Sequence, residues 1–329
     1  MDKPTLRFRP DGTFRILQLT DMHFRYLTGR NATTLALIRT LLEREQPDLV
    51  ALTGDISCNG GIGHMTRLFA RINDIFESFG VPYTFVMGNH ENDPDDVPVG
   101  RQHLLADALE VLPLSLFERG PAELGVGNYV VPILPHTGED RPAWMLYHLD
   151  GHSNAMYPMA DGSTVRSDAA IRPAQIAWLE QTHTALQAAQ GAVPSLVFDH
   201  IPLPEFDELW MFDGIQGHRG ERVCHPPVNT GLFSVLYRLK DFRGVFVGHD
   251  HTNCYSGEMF GILLAYGLCS GYQPTCQTGF KRGGRMIVLD EATGRIARTY
   301  LTLHDGSEPD NTWTPPFCKR KEFFLPPRQ

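Results

Sequence analysis

None of the six cysteines, Cys58, Cys224, Cys254, Cys269, Cys276 and Cys318, stands in a C-x-x-C pair. That absence argues against a thiolate zinc site and a dithiol redox motif, and the scatter argues against a disulfide frame. The cysteines read as free thiols of a reducing compartment. No apolar run approaches the roughly 20 residues that a bilayer crossing needs. The first run, Phe14 to Leu19, is also too short for the core of a signal peptide. The expectation is a cytoplasmic protein with no membrane partner. Positive charge is in deficit: 29 Lys and Arg against 38 Asp and Glu give a net charge of −9. With no basic-aromatic stripe, nucleic acid is not expected as a partner. A phosphate-bearing substrate stays open, because bound divalent cations would reverse the local sign. Repeats, low-complexity tracts and linkers are missing as well. The 329 residues are therefore expected to form one domain, 1–329, ending in a proline-rich tail, 308–329, that packs over the surface or frays.

What is present is a regular alternation of short apolar runs and amphipathic stretches. The spacing predicts strands over 14–19, 49–52 and 83–86. Helices are predicted between them, over about 33–45 and 64–79, the first with Leu35, Leu37, Ile38, Leu41 and Leu42 on its apolar face. Two consecutive βαβ units imply parallel strands and an α/β fold. Further strands are predicted over 144–149, 195–198, 245–247 and 262–266, with helices over about 173–190 and 231–240. The runs 285–290 and 295–303 are expected to form a hairpin across the short turn Glu291 to Gly294. Segments 93–134 and 202–229 read as long insertions, the second directly after His200, where long loops are usually functional.

Five short motifs stand in order, each just past an apolar run: Asp21-x-His23, Gly54-Asp55, Gly88-Asn89-His90-Glu91, His200 and Gly248-His249-Asp250-His251. The carboxyl edge of parallel strands, where the first three fall, is where open α/β sheets place ligands. Asp21 and His23 can converge on one ion if the backbone turns between them. Asp55, with two oxygens and a negative charge, is placed to bridge two ions. Asn89 offers an amide oxygen, and His200, His249 and His251 offer ring nitrogens. Carboxylate, imidazole and carboxamide together suit Mn, Zn or Fe better than calcium. The expected cofactors are two divalent transition metal ions.

This ordered pattern, D-x-H, G-D, G-N-H-[DE], H, G-H-x-H, resembles the calcineurin-like metallophosphoesterase superfamily. The resemblance implies a two-sheet β-sandwich flanked by helices in four layers. It also implies that Asp21, His23 and His251 hold one metal, that Asn89, His200 and His249 hold the other, and that Asp55 bridges. His90 would then face the substrate and assist the leaving group, while Glu91 or Asp250 would orient a neighbouring histidine. A metal-activated hydroxide would attack a phosphomonoester in line. A phosphodiesterase of the same mechanism is the alternative, and a non-catalytic metal-binding scaffold ranks below both. The expected partner is a small phosphate-ester substrate; the oligomeric state is not legible.

Two departures narrow the branch. Cys58 stands where purple acid phosphatases have an iron-binding tyrosine, and Gly54 to Gly60 lacks the arginine with which phosphoprotein phosphatases grip phosphate. The stretches 200–206, 229–233 and 248–253 look most like the non-purple branch related to purple acid phosphatases. Among residues outside the motifs, Asn59, His148, His152 and Arg219 are candidates for supporting or substrate-contacting roles. Arg219, Arg222, Lys281 and Arg282 are candidate suppliers of a basic pocket.

Overall fold

The first third of the chain folds as its apolar periodicity requires. The computed structural model describes residues 3–25, 28–57, 61–91, 100–274 and 279–307. A short strand β1 (Leu6–Arg7) precedes β2 (Thr13–Leu19), helix α1 (Arg30–Glu45), β3 (Leu49–Thr53), helix α2 (Gly61–Phe79) and β4 (Tyr83–Val86). Every residue of β3 and β4 is buried, which is why both read as unbroken apolar runs rather than alternating ones. β2, β3 and β4 pair in parallel, so their carboxyl ends share one edge. Helix α1 buries Leu37, Ile38, Leu41 and Leu42 and stops at Gln46, whose left-handed backbone returns an N–H to Leu42 O.

Segment 93–134 is not the loop its prolines and glycines imply. Its described part holds helix α3 (Arg101–Val111) and strand β5 (Tyr129–Leu134). Pro132 lies in β5 where the outer neighbour has not begun, since β1 pairs only with Ile133 and Leu134. A missing donor is tolerated there.

The remaining elements are β6 (Trp144–His148), β7 (Asn154–Pro158), β8 (Thr164–Asp168), α4 (Pro173–Gln190), β9 (Ser195–Phe198) and a short α5 (Glu205–Glu208). Then follow α6 (Leu232–Leu239), β10 (Phe242–Val247), β11 (Ser256–Met259), β12 (Ile262–Tyr266), β13 (Gly283–Asp290) and β14 (Arg295–Leu303). β13 and β14 form the expected antiparallel hairpin.

Among the described residues the strands make a seven-stranded sheet, β1-β5-β6-β9-β10-β12-β11, a five-stranded sheet, β14-β13-β2-β3-β4, and the separate hairpin β7–β8. Leu146, Leu196, Phe198, Phe246 and Ala265 of the larger sheet join one core with the smaller sheet, α1 and α2. Their neighbours Met145, Tyr147, Val197, Val245 and Leu264 face a second core with α4 and α6. The strand period of two divides these residues between the faces. The result is helix, sheet, sheet, helix: the four-layer sandwich expected.

β9 and β10 are parallel neighbours, and the loops leaving them meet the loops leaving β2, β3 and β4. Asp21 N–H donates to Gly54 O (3.1 Å), His23 N–H to Asp55 O (2.9 Å) and Gly248 N–H to His200 O (3.0 Å). His200 Nδ1 at Thr53 O, His249 N–H at Asp21 Oδ2 and His90 N–H at Asp55 Oδ1 then gather all five motifs at one end of the sandwich.

Candidate metal centre

The motif residues leave their strands through an uncommon backbone conformation. Asp21, His23, Asp55 and His249 have φ of 52°, 46°, 52° and 76°, a region few non-glycine residues occupy. This bend turns side chains off the strand ends toward a common point, and such conformations concentrate at functional sites. Glycine is required beside them. Gly54 has a φ of 85°, and a Cβ on it would collide with the His200 ring; a Cβ on Gly88 would collide with the backbone nitrogen and Oδ1 of Asp55.

Two groups of donors result, one formed by Asp21, His23, Asp55 and His251, the other by Asp55, His200 and His249. Asp55 belongs to both. Its Oδ2 lies 3.4 Å from His23 Nε2 and 3.4 Å from His200 Nε2. Its Oδ1 is occupied instead by the backbone N–H of His90 (2.9 Å). One oxygen therefore faces both groups, where the sequence reading used two. Asn89 joins the second group, with Oδ1 at 3.1 Å from His200 Nε2 and 2.9 Å from His249 Nδ1.

These distances carry a chemical test. Ligands bound to one ion at about 2.0–2.2 Å lie about 3.0–3.6 Å from one another. His251 Nε2 and His23 Nε2 are 3.0 Å apart, so their lone pairs repel unless a proton or a cation lies between. Asp21 Oδ1 is buried without a hydrogen-bond partner, 3.8 Å from both His23 Nε2 and His251 Nε2. Its other oxygen accepts from Thr20 Oγ1 (2.8 Å) and His249 N–H (3.1 Å). The donors fit a divalent metal site.

Neighbouring groups hold the donors in place. His200 Nδ1 donates to Thr53 O (2.8 Å), which leaves Nε2 as its ligating nitrogen. Asp199 accepts the His200 N–H (2.7 Å), and burial pushes its carboxyl up to about 7. Among the described residues neither Glu91 nor Asp250 hydrogen-bonds a histidine: Glu91 holds backbone amides, and Asp250 holds mainly side chains. Glu91 is fully buried and accepts four amides: Asp55 and Gly88 at one oxygen (2.8 and 2.9 Å), Ile56 and Ser57 at the other (2.8 and 3.0 Å). Asp250 accepts from Tyr266 Oη (2.6 Å) and Asn253 Nδ2 (3.0 Å). The insertion after His200 clasps the last motif, with Glu221 Oε1 accepting from the N–H (2.6 Å) and hydroxyl (2.9 Å) of Thr252.

Other candidates sit elsewhere. His148 is buried between the rings of Tyr129 and Phe198, with centroids at 4.3 and 5.4 Å. Burial pushes it down to about 3, so it is a neutral core side chain. His152 is tied to Asp150 (3.3 Å) and Gln175 (2.9 Å) in a network that fastens the loop after β6 to α4. Arg219 pairs with Asp207 and lies over the Trp210 ring. Lys281 pairs with Asp305 (2.9 Å), and Arg282 donates to Gly271 O (2.5 Å). Asn59 and Cys58 lie outside the described residues, as do Cys276, Cys318 and the tail 308–329. Sequence reasoning missed Asp168, whose Oδ1 is 3.5 Å from His249 Nε2. It stands in no motif and ends a strand that carries little apolar signal.

Electrostatics matches the geometry. Burial alone would raise Asp55, but the charge and hydrogen bond of His200, with His23 and His90, hold it well below the usual carboxylate range. Asp21 is likewise held low against burial by His23, His200 and His251. His200, opposed by burial, is pushed up to about 10 by Asp55 and Asp21. The charge that retains its proton is the charge a cation would use in the proton's place.

Comparison with known proteins agrees with this arrangement. Residues 14–253 match the model of the calcineurin-like phosphoesterase family. The chain is 32% identical over 320 residues to probable inactive purple acid phosphatase 14 of Arabidopsis thaliana, spanning 86% of this chain and 76% of the plant protein. It is 28% identical over 279 residues to phosphatase DCR2 of Saccharomyces cerevisiae, spanning 74% of this chain and 45% of the yeast protein. A dimetal phosphatase from Danio rerio shares the fold, with a TM-score of 0.56 at 15% identity, covering 88% of this chain and 95% of that one. The chain belongs to the calcineurin-like phosphoesterase family, in the branch related to purple acid phosphatases.

Proposed function

We propose that this chain hydrolyses phosphoric esters, phosphomonoesters first, with two divalent ions drawn from Mn, Zn or Fe. Asp21, His23 and His251 would hold one, and Asn89, His200 and His249 the other. The observation that carries the reading is Asp55 Oδ2, equidistant at 3.4 Å from a histidine of each group. When bound, divalent ions supply neutralisation of phosphoryl charge and acidification of a water.

The chain's own residues do the rest. The His90 N–H holds Asp55 Oδ1, so the shared carboxylate moves with the loop that faces substrate. The His90 ring is 37% exposed, with Nε2 3.9 Å from Asp55 Oδ2. It stands at the rim, where a departing alkoxide needs stabilisation or a proton. Asn89 adds an oxygen without charge, which keeps the second group less anionic than the first.

The plant relative is named as probably inactive, yet all seven expected ligands and His90 are present in this chain. One observation favours a diester substrate as the second reading. A monoester carries the larger charge, and of the four candidate cations Arg219, Lys281 and Arg282 are engaged by other partners, which leaves the exposed Arg222.

The test is hydrolysis of p-nitrophenyl phosphate beside bis-p-nitrophenyl phosphate by metal-free protein resupplied with Mn²⁺, Zn²⁺, Fe²⁺ or Mg²⁺. The expected result is turnover of the monoester that appears only with transition metal and is lost in His90→Ala. Faster diester turnover selects the second reading. Metal-loaded protein inert toward both esters counts against hydrolysis.

A further inference from the structure

We infer that Asp168, on a hairpin outside every motif, is a positioning residue that fixes the tautomer and ring orientation of His249. This rests on the metal-centre reading above and adds to it a residue that no motif contains.

The two nitrogens of His249 face different partners. Nδ1 is 2.9 Å from Asn89 Oδ1 and so faces the second donor group. Nε2 points the opposite way, 3.5 Å from Asp168 Oδ1. An imidazole that ligates through Nδ1 must carry its proton on Nε2. An acceptor at Nε2 therefore selects the tautomer and, when it is a carboxylate, makes the ring a stronger ligand. His200 uses the same device in mirror form, with its far nitrogen on Thr53 O. Each histidine of the group thus has an acceptor behind it, a carbonyl for one and a carboxylate for the other.

Asp168 is held by its own element. It closes the β7–β8 ladder opposite Asn154. Its carbonyl accepts the hydroxyl of Tyr157 (2.8 Å), and Ala169 N–H donates to Ser153 O (2.9 Å). These bonds fasten the base of the hairpin, while its outer part is open to solvent, with Met156 60% exposed. The hairpin pairs with neither large sheet. A carboxylate at its base, aimed at a ligand histidine, gives this appendage a definite task at the site.

The experiment compares wild type, Asp168→Ala, Asp168→Asn and the hairpin control Met156→Ala by chelator-competition titration with Mn²⁺ and Zn²⁺. Metal content by mass spectrometry and the thermal midpoint of metal-free protein are read on the same samples. Support of this kind is worth about 10–100-fold in metal affinity. Asp168→Ala should weaken one of two ions by that factor and leave the other and the metal-free midpoint unchanged. Asp168→Asn should fall between, since an amide oxygen still accepts Nε2–H, and Met156→Ala should match wild type. Wild-type affinity for both ions in Asp168→Ala overturns the proposal alone. A fall in the metal-free midpoint that also appears in Asp168→Asn, without a selective loss of one ion, overturns it in favour of a merely structural role. A wild-type chain that binds neither ion overturns the metal-centre reading and this proposal with it.

Discussion

Glu91 shows how much of this site is made of backbone. Its two oxygens collect the amides of Asp55, Ile56, Ser57 and Gly88, and so lock the turn that presents Asp55 to the turn that presents Asn89 and His90. Burial, and then the Asp55 charge, raise its pKa, whereas four N–H donors favour the ionised form. The geometry of four acceptor bonds argues for the carboxylate. Glu91→Gln is nearly isosteric but sets an NH₂ group against two buried amides. Leaving buried donors unmatched costs about 1–3 kcal/mol each. The variant should therefore lose at least about 2 kcal/mol in urea unfolding of the metal-free protein. A role confined to orienting a histidine would leave that stability near wild type.

At the scale of elements, legibility followed burial. β3, β4 and β9 are buried on every residue and stood out as apolar runs; α1 and α4 were legible from spacing and from Pro173 at a first helical turn. The hairpin β7–β8 was not legible, because its residues are mostly exposed or half-buried and neither face demands apolar side chains. α3 and β5 were hidden by the prolines and glycines around them. The site divides in the same way. Ligands were readable because a metal dictates residue type and the motif dictates order. Their supports were not, since Asp168, Thr53 O and Thr20 are chosen by proximity in space. Glu91 and Asp250 were noticed for their charge and expected beside a histidine; the backbone amides that Glu91 accepts leave no trace in sequence, and the Tyr266 and Asn253 side chains that Asp250 accepts are brought to it by the fold. His148 looked functional by residue type, yet lies between two rings in the core.

For the whole molecule, the sandwich brings the carboxyl ends of two different sheets together and thereby concentrates charge that the fold must tolerate without metal. His200 has a folded pKa of about 10 against about 6.5 in an unfolded chain. Its contribution to stability is complete below pH of about 6.5 and disappears as pH rises through the folded value. Asp55 and Asp21 are depressed, so their contributions exist above pH of about 3.9 and vanish in acid. Metal-free protein should therefore lose stability between pH of about 6.5 and 10, seen as a falling urea midpoint, and His200→Gln should flatten that slope. A midpoint that does not change over this range in the wild type would place the charges elsewhere. The proposed chemistry depends above all on Asp55 joining two ions. Manganese titration of the metal-free protein, followed by electron paramagnetic resonance, tests it most directly. Two ions per chain with an exchange-coupled spectrum, and loss of the coupling in Asp55→Asn, is the predicted result; a single ion, or two ions with independent signals, would contradict it.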